Sequence, residues 1–309
     1  MRLSVLVTTF GRPAYLGRCI GALLTQERTP DEIVIVTRIG DAETESYVSS
    51  VLASHAGPVR LLRARVSEPG VLAANRAGMA LVTGDIVSFI DDDAAARPDW
   101  LGRIETWFAS DSKLGALGGR DVIHTERGVV ERRTKTVGRI HWYGRIVGNH
   151  EKIFEGSAEA EHLKGVNMSY RRELLPEFDP LILGNAHHYE TDLCFAVRRR
   201  GCRIVFDGDL LVDHYQDAPR TLAGSQPGAE RERAYFIHHN RVYVMLKNLG
   251  LVRRGVFLLY TLLIDGGIEL AGAALGRHGL TPPIVGAMYR GKLAGLRDYL
   301  ARALGRSKA

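Results

Sequence analysis

The sequence predicts an α/β fold: a mostly parallel sheet with helices on both faces, followed by a helical C-terminal extension. Three observations carry that expectation. Short Val/Ile-rich runs alternate with stretches of helical spacing as far as His214, and one of those runs, residues 84–93, ends in three consecutive aspartates. From Arg241 onward eleven Lys and Arg stand against three acids, a local charge of +8 that leaves −2 for residues 1–240.

Taken in order, Leu-Ser-Val-Leu-Val-Thr at residues 3–8 reads as a buried parallel strand, and Thr9-Phe10-Gly11-Arg12-Pro13 as the turn after it. Residues 15–24 place Leu16, Ile20, Leu23 and Leu24 at helical spacing. A second strand at 33–36 follows Pro30-Asp31, with a helix at 43–54, a third strand at 59–62 and a helix at 70–81 that starts on Gly70. Beyond the acid run, Pro98-Asp99 opens a helix to Phe108, and 115–122 is another strand. Residues 124–162 are polar, basic and aperiodic, with Trp142 and Tyr143 among Arg and His, so a long excursion or flap is expected. A strand at 165–170, a helix start at 171–175, a helix from His187 to the stop at Gly201, and short strands at 203–206 and 210–214 complete the alternation.

Composition narrows the class. With 45% hydrophobic and 25% charged residues over 309 positions, the chain has material for a large core and no disordered or fibrous bias. No Gly-x-Gly-x-x-Gly follows the first strand and no Gly-Lys-Ser/Thr follows any strand, which argues against a dinucleotide fold and a P-loop enzyme. Cys19, Cys194 and Cys202 lack metal-ligand spacing and read as reduced, buried thiols. Met1-Arg2 with a few apolar residues is too short for a signal peptide, so a cytoplasmic setting is expected.

Asp91, Asp92 and Asp93 repel one another and lose hydration where a strand ends, a costly arrangement unless a cation compensates it. Oxygen ligands at the carboxyl end of a parallel strand suit Mg²⁺ or Mn²⁺ carrying a phosphorylated ligand. A solvated turn with an accidental acid run is the alternative.

In order, these pieces resemble the inverting family 2 glycosyltransferases. The matching residues are Thr8 to Pro13, Gly70 through Asn75 and Gly78, Gly84-Asp85, Asp91-Asp92-Asp93, Gly165-Val166-Asn167-Met168, Phe178-Asp179, Glu190-Thr191-Asp192-Leu193 with Arg198 and Gly201, and His214. The resemblance covers about residues 1–215 and implies the GT-A fold, the Rossmann-like sheet of nucleotide-diphospho-sugar transferases, with a catalytic domain at 1–220 and a basic helical extension at 221–309. It implies that Thr8, Thr9, Phe10, Arg12, Asn75, Asp91, Asp92 and Asn167 meet the nucleotide sugar, and that Asp93, with Asp91 and His214, holds Mn²⁺ or Mg²⁺. Asn167 as a satisfied strand-end amide, Arg76 facing outward and His214 as a histidine closing a strand are the plainer alternatives. The base that takes the acceptor hydroxyl's proton falls on Glu190 or Asp192; alignment on Asp192-Leu193 favours Glu190, and Asp192 suits a helix cap or dipole partner. Where the family carries an acid and a small polar turn after the second strand, this chain has Thr37-Arg38-Ile39-Gly40-Asp41, so uridine or thymidine diphosphate sugars are favoured by resemblance only.

In the tail, 231–250 is helical, and His238 and His239 read as surface or acceptor-side residues. Residues 256–264 are apolar all round until Asp265 and Glu269 interrupt, which penalises a spanning helix by ~3 kcal/mol at Asp265. An in-plane helix on an anionic membrane, on its inner face, or a homodimer contact is expected, with Arg253, Arg254, Arg277, Arg290 and Lys292 around it; a buried helical hairpin is the alternative. Overall the sequence reads as a transferase acting on a glycan, glycolipid or lipid-linked sugar, with no nucleic acid expected. The rivals are a nucleotidyltransferase of related fold and a non-catalytic sugar-nucleotide or nucleic-acid binding module.

Overall fold

A computed structural model describes residues 1–309 except 127, 130, 185, 216–227, 277–279 and 306–309. The chain forms two compact units, the first from Met1–Arg139, Val147–Glu177 and Leu193–Pro219, the second from Ile140–Ile146, Phe178–Asp192 and Arg220–Ala309. The helical unit therefore also takes two segments that lie within the expected 1–220 domain.

In the first unit, β1 (Leu3–Thr8), α1 (Pro13–Leu24), β2 (Glu32–Arg38), α2 (Ala42–Ser54), β3 (Arg60–Val66), α3 (Val71–Met79) and β4 (Ile86–Asp91) follow the predicted alternation. They lead to β5 (Ala94–Ala96), α4 (Trp100–Ser110), β6 (Leu114–Thr125), β7 (Gly128–Val129), β10 (Ser157–Glu159), β11 (Asn167–Arg171) and β12 (Arg203–Tyr215), while β8 (Arg139–Ile140), β9 (Ile146–Val147) and α5 (Tyr189–Arg199) each have residues in both units. The main sheet has the order β10-β12-β6-β11-β4-β1-β2-β3. β1, β2, β3 and β4 are parallel, whereas β11 enters antiparallel between β4 and β6, so the sheet is mixed. Apolar runs give no strand direction, which is why sequence left β11 unoriented. The expected strands at 203–206 and 210–214 are one strand, β12, with a register shift between Asp207 and Leu211.

Leu3, Val5, Val7, Ile33, Ile35 and Ile86 of the strands pack with Leu16, Ile20 and Leu23 of α1 and Trp100, Leu101 and Ile104 of α4 into one buried cluster. Each such side chain contributes about 1.5–3 kcal/mol when fully buried. Close helix-to-sheet packing fixes Gly78 of α3, where a Cβ would lie 2.2 Å from Leu6 Cδ1.

The expected flap carries a buried histidine. His150 Nε2 lies 3.0 Å from the His162 carbonyl, which can only accept, so the ring donates there. Burial pushes its pKa from 6.5 down to about 4. Because the folded value is the lower one, the unfolded chain binds the extra proton between those pH values and stability falls as pH drops through that window. The loss is up to roughly 3 kcal/mol. Urea unfolding followed from pH 7 to 4 is expected to show it, with a shallower decline in His150→Gln.

The second unit contains α6 (Ala229–Asn248), α7 (Leu251–Leu259), a π turn at Tyr260–Asp265, α8 (Gly266–Ala274) and α9 (Pro282–Ala303). Two glycines four residues apart bring α9 onto α6: a Cβ on Gly291 would lie 2.3 Å from the Tyr235 carbonyl oxygen, and one on Gly295 2.4 Å from that of His239. Those glycines lower helix propensity, which hides α9 from a propensity-based reading.

The acids that interrupt the apolar stretch are paired. Asp265 meets Arg241 at 2.8 Å, and Glu269 meets Lys292 at 2.7 Å and His238 at 3.2 Å. Two expectations are corrected here. Lys292 is buried against Glu269, not placed for head groups, and His239 is fully buried 3.0 Å from Asp298.

Candidate active site

The parallel register sets Thr8 beside Val36 on β2 and beside Asp91 on β4, so the carboxyl ends of three strands share one edge of the sheet. That edge is where α/β sheets receive ligands. From Asp91 the chain turns through Asp92 and Asp93 into β5, whose Ala94 pairs with His214 of β12. His214 is thereby brought from far along the sequence to the acid run. Asp91, Asp93 and His214 each present one ligand atom, all within 4.8 Å of one another.

His214 is held from behind. Its Nδ1 donates to Asp121 Oδ1 at 2.8 Å, and Asp121, fully buried on β6, is ion-paired with Lys164. Burial opposes ionisation of Asp121, but the His214 hydrogen bond and the Lys164 charge outweigh it and keep the carboxyl below its usual range. An ionised carboxylate only accepts, so the proton stays on Nδ1 and Nε2 faces Asp93 Oδ1 at 3.4 Å. Burial would lower the His214 pKa, yet its bonds to Asp121 and Asp93 push it up to about 10, so Nε2 carries a proton that a cation taken there would have to displace.

Asp93 divides its two oxygens. Oδ2 accepts from Arg12 Nη1 at 2.6 Å, while buried Oδ1 has only the long 3.4 Å ion pair to His214 Nε2 and no well-formed hydrogen bond among the described residues. A buried, under-satisfied carboxylate oxygen beside a second carboxylate and an imidazole nitrogen fits a divalent cation that completes its coordination with phosphate oxygens. Crowding by protein, and then the charge of Asp93, raise the Asp91 pKa to about 6.

The other expected residues are distributed around this cluster. Buried Asp92 turns to Thr9, whose Oγ1 donates at 2.7 Å, and to Arg12, so Arg12 spends its guanidinium on Asp92 and Asp93. The Phe10 ring lies 4.9 Å under the Arg38 guanidinium, in the segment that departs from the family pattern. Nearby on β2, buried Thr37 Oγ1 has no hydrogen-bond partner among the described residues, and neither has Nδ2 of buried Asn75 on α3. Arg76 faces Glu68 at 3.5 Å on the exposed side. Asn167 is engaged at both ends: Trp100 Nε1 donates to its Oδ1 at 2.9 Å, and its Nδ2 donates to the Leu210 carbonyl at 2.9 Å. That is the satisfied strand-end amide of the two alternatives.

In the second unit, Glu190 and Asp192 stand in the first turn of α5. Asp192 is buried and doubly held, by Lys247 Nζ and Asn248 Nδ2, each at 2.7 Å. Glu190 is half-buried.

Sequence reasoning missed Asp121 and Lys164. A signal was present: Asp121 lies in a strand whose run from Leu114 to Gly119 is entirely small or apolar, and a buried acid requires a partner.

This sheet, with two aspartates and a histidine gathered at its carboxyl edge, defines a GT-A glycosyltransferase. The Glycosyl transferase family 2 model matches residues 4–178, and the chain belongs to that family. Glucosyl-dolichyl phosphate glucuronosyltransferase of Haloferax volcanii is 26% identical over 225 residues, 69% of each chain. Among solved structures, the mannosyltransferase PcManGT of Pyrobaculum calidifontis, in complex with GDP-Man and Mn²⁺, superposes with a TM-score of 0.56 at 17% identity, covering 97% of this chain and 87% of that one. Residues 1–349 of TarS from S. aureus, in complex with UDP-GlcNAc, give 0.59 at 14% identity, covering 100% and 93%.

Proposed function

We propose that the protein is a metal-dependent inverting glycosyltransferase. It moves a hexosyl or deoxyhexosyl group from a nucleoside-diphosphate sugar, uridine or thymidine diphosphate favoured, to a hydroxyl of a glycan, glycolipid or lipid-linked sugar. Cell-envelope polysaccharide or another glycoconjugate would be the product, made on the cytoplasmic side. The observation that carries this reading is the cluster of Asp91, Asp93 and His214, in which Asp93 Oδ1 makes no well-formed hydrogen bond among the described residues.

Asp91, Asp93 and the Nε2 atom of His214 would hold Mn²⁺ or Mg²⁺. The bound ion would supply positive charge to the diphosphate leaving group. Asp121 keeps the Nδ1 proton of His214 in place and so fixes the ring's orientation. Asn75 would contact the nucleotide, its Nδ2 having no hydrogen-bond partner among the described residues. Glu190 would take the proton of the acceptor hydroxyl as it attacks the anomeric carbon opposite the leaving diphosphate. Glu190 is preferred to Asp192 on the alignment of Asp192-Leu193 with the family pattern.

Release of nucleoside diphosphate from a donor panel with glycan and lipid-linked acceptors tests the reading. Release that stops with EDTA and returns with Mn²⁺, giving a product of inverted anomeric configuration, is expected. Release that is indifferent to EDTA would contradict it. Asp121→Asn is expected to weaken Mn²⁺ binding, read by electron paramagnetic resonance of the free ion, by roughly 10–100-fold.

A further inference from the structure

We propose that the helical unit docks on an anionic lipid bilayer through the outward face of α7, the π turn and α8, which would lie in the plane of the interface with Trp142 beside it. The segment Leu251–Ala274 runs 24 residues and is long and apolar enough to cross a membrane, yet only 17% of its apolar window is buried. Leu251, Val252, Leu259, Leu263, Ile268 and Leu275 are 62–81% exposed. In residues 255–276 the only charged side chains are Asp265 and Glu269, and both are paired with side chains of α6 and α9. The segment thus turns its charges inward and its aliphatic side chains outward, the reverse of what water selects.

A second observation says what covers that face. Trp142 is 57% exposed, and Arg253 of α7 donates to the carbonyls of His141 and Trp142 at 3.3 and 3.0 Å. Tyr143 packs on Tyr260 with ring centroids 4.6 Å apart, and at Gly144 an added Cβ would lie 2.3 Å from the Phe257 ring. The loop is clamped to the helix and holds its indole outward. An exposed indole and an arginine at one end of a long uncharged surface match the border between head groups and acyl chains, where Trp and Arg are both favourable. Arg290, exposed on α9, adds attraction for anionic head groups; Arg277, expected there too, lies outside the described residues. A spanning orientation is disfavoured because α6 is rich in charge and the pairs of Asp265 and Glu269 tie the segment to its neighbours.

The test is independent of the transferase reading: flotation of the full chain with vesicles of phosphatidylcholine and phosphatidylglycerol, beside Leu259→Glu/Leu263→Glu and Trp142→Ala. The wild type is expected to float, more with the anionic lipid. The double variant should bind at least tenfold less and Trp142→Ala detectably less, with melting temperature and Mn²⁺ binding retained. Absence of flotation by folded wild type, or undiminished flotation of the double variant, would overturn the proposal. So would a lipid-free dimer that the double variant converts to monomer without any vesicle binding by the wild type, since a second copy would then cover the face.

Discussion

Glu190→Gln is expected to lower turnover by roughly 10²–10⁴-fold while leaving donor affinity, Mn²⁺ affinity and melting temperature near those of the wild type. The amide keeps the size of the side chain and removes its ability to take a proton, so the loss falls on the chemical step. Asp192→Asn is the informative contrast. Its carboxylate is buried and shares the Lys247 ammonium with Asp179, so the exchange removes one of that ammonium's two counter-ions. It should lower stability by about 1–3 kcal/mol. Single-turnover rates with donor bound, set beside thermal melts of both variants, check the assignment. A Glu190→Gln enzyme with ordinary turnover, or an Asp192→Asn enzyme that is stable but inactive, would move the base to Asp192.

Asp93→Ala is expected to abolish metal-dependent donor binding and to reduce turnover by roughly 10³-fold or more, because several kcal/mol of charge stabilisation at the leaving group go with the metal. Asp93 is singled out by its surroundings. It joins the cluster with an oxygen that makes no well-formed hydrogen bond among the described residues and faces only His214 Nε2 at 3.4 Å, whereas Asp92 already satisfies Thr9 and Arg12. Titration of Mn²⁺ with and without donor checks this, and a variant that binds metal as tightly as the wild type would contradict it.

Much of the sheet was legible because its parallel strands are buried on both faces and punctuated by Gly, Pro and Asp. The expected first strand is β1 itself, Leu3–Thr8, and the acid run ends β4 as expected. The cluster of Asp91, Asp93 and His214 had been expected from the family resemblance; strand register is what carries His214 to β5. The second row of the site was not legible. Asp121 meets His214 across neighbouring strands and Lys164 reaches it from a loop, contacts that periodicity along the chain cannot encode. The same limit applied in the helical unit. Asp265 and Glu269 read as interruptions of an apolar helix until Arg241, His238 and Lys292 supplied their partners.

The central claim, a donor site built on a metal at Asp93, is tested most directly by thermal shift of the wild type and Asp93→Ala with uridine, thymidine and guanosine diphosphate sugars, each with and without Mn²⁺ or Mg²⁺. A ligand that binds only the folded state at a hundred times its Kd adds about 2.7 kcal/mol of stability. A rise with one nucleotide class that requires the metal and disappears in Asp93→Ala is expected. An equal rise without metal, an equal rise in the variant, or no rise with any donor at millimolar concentration would contradict it.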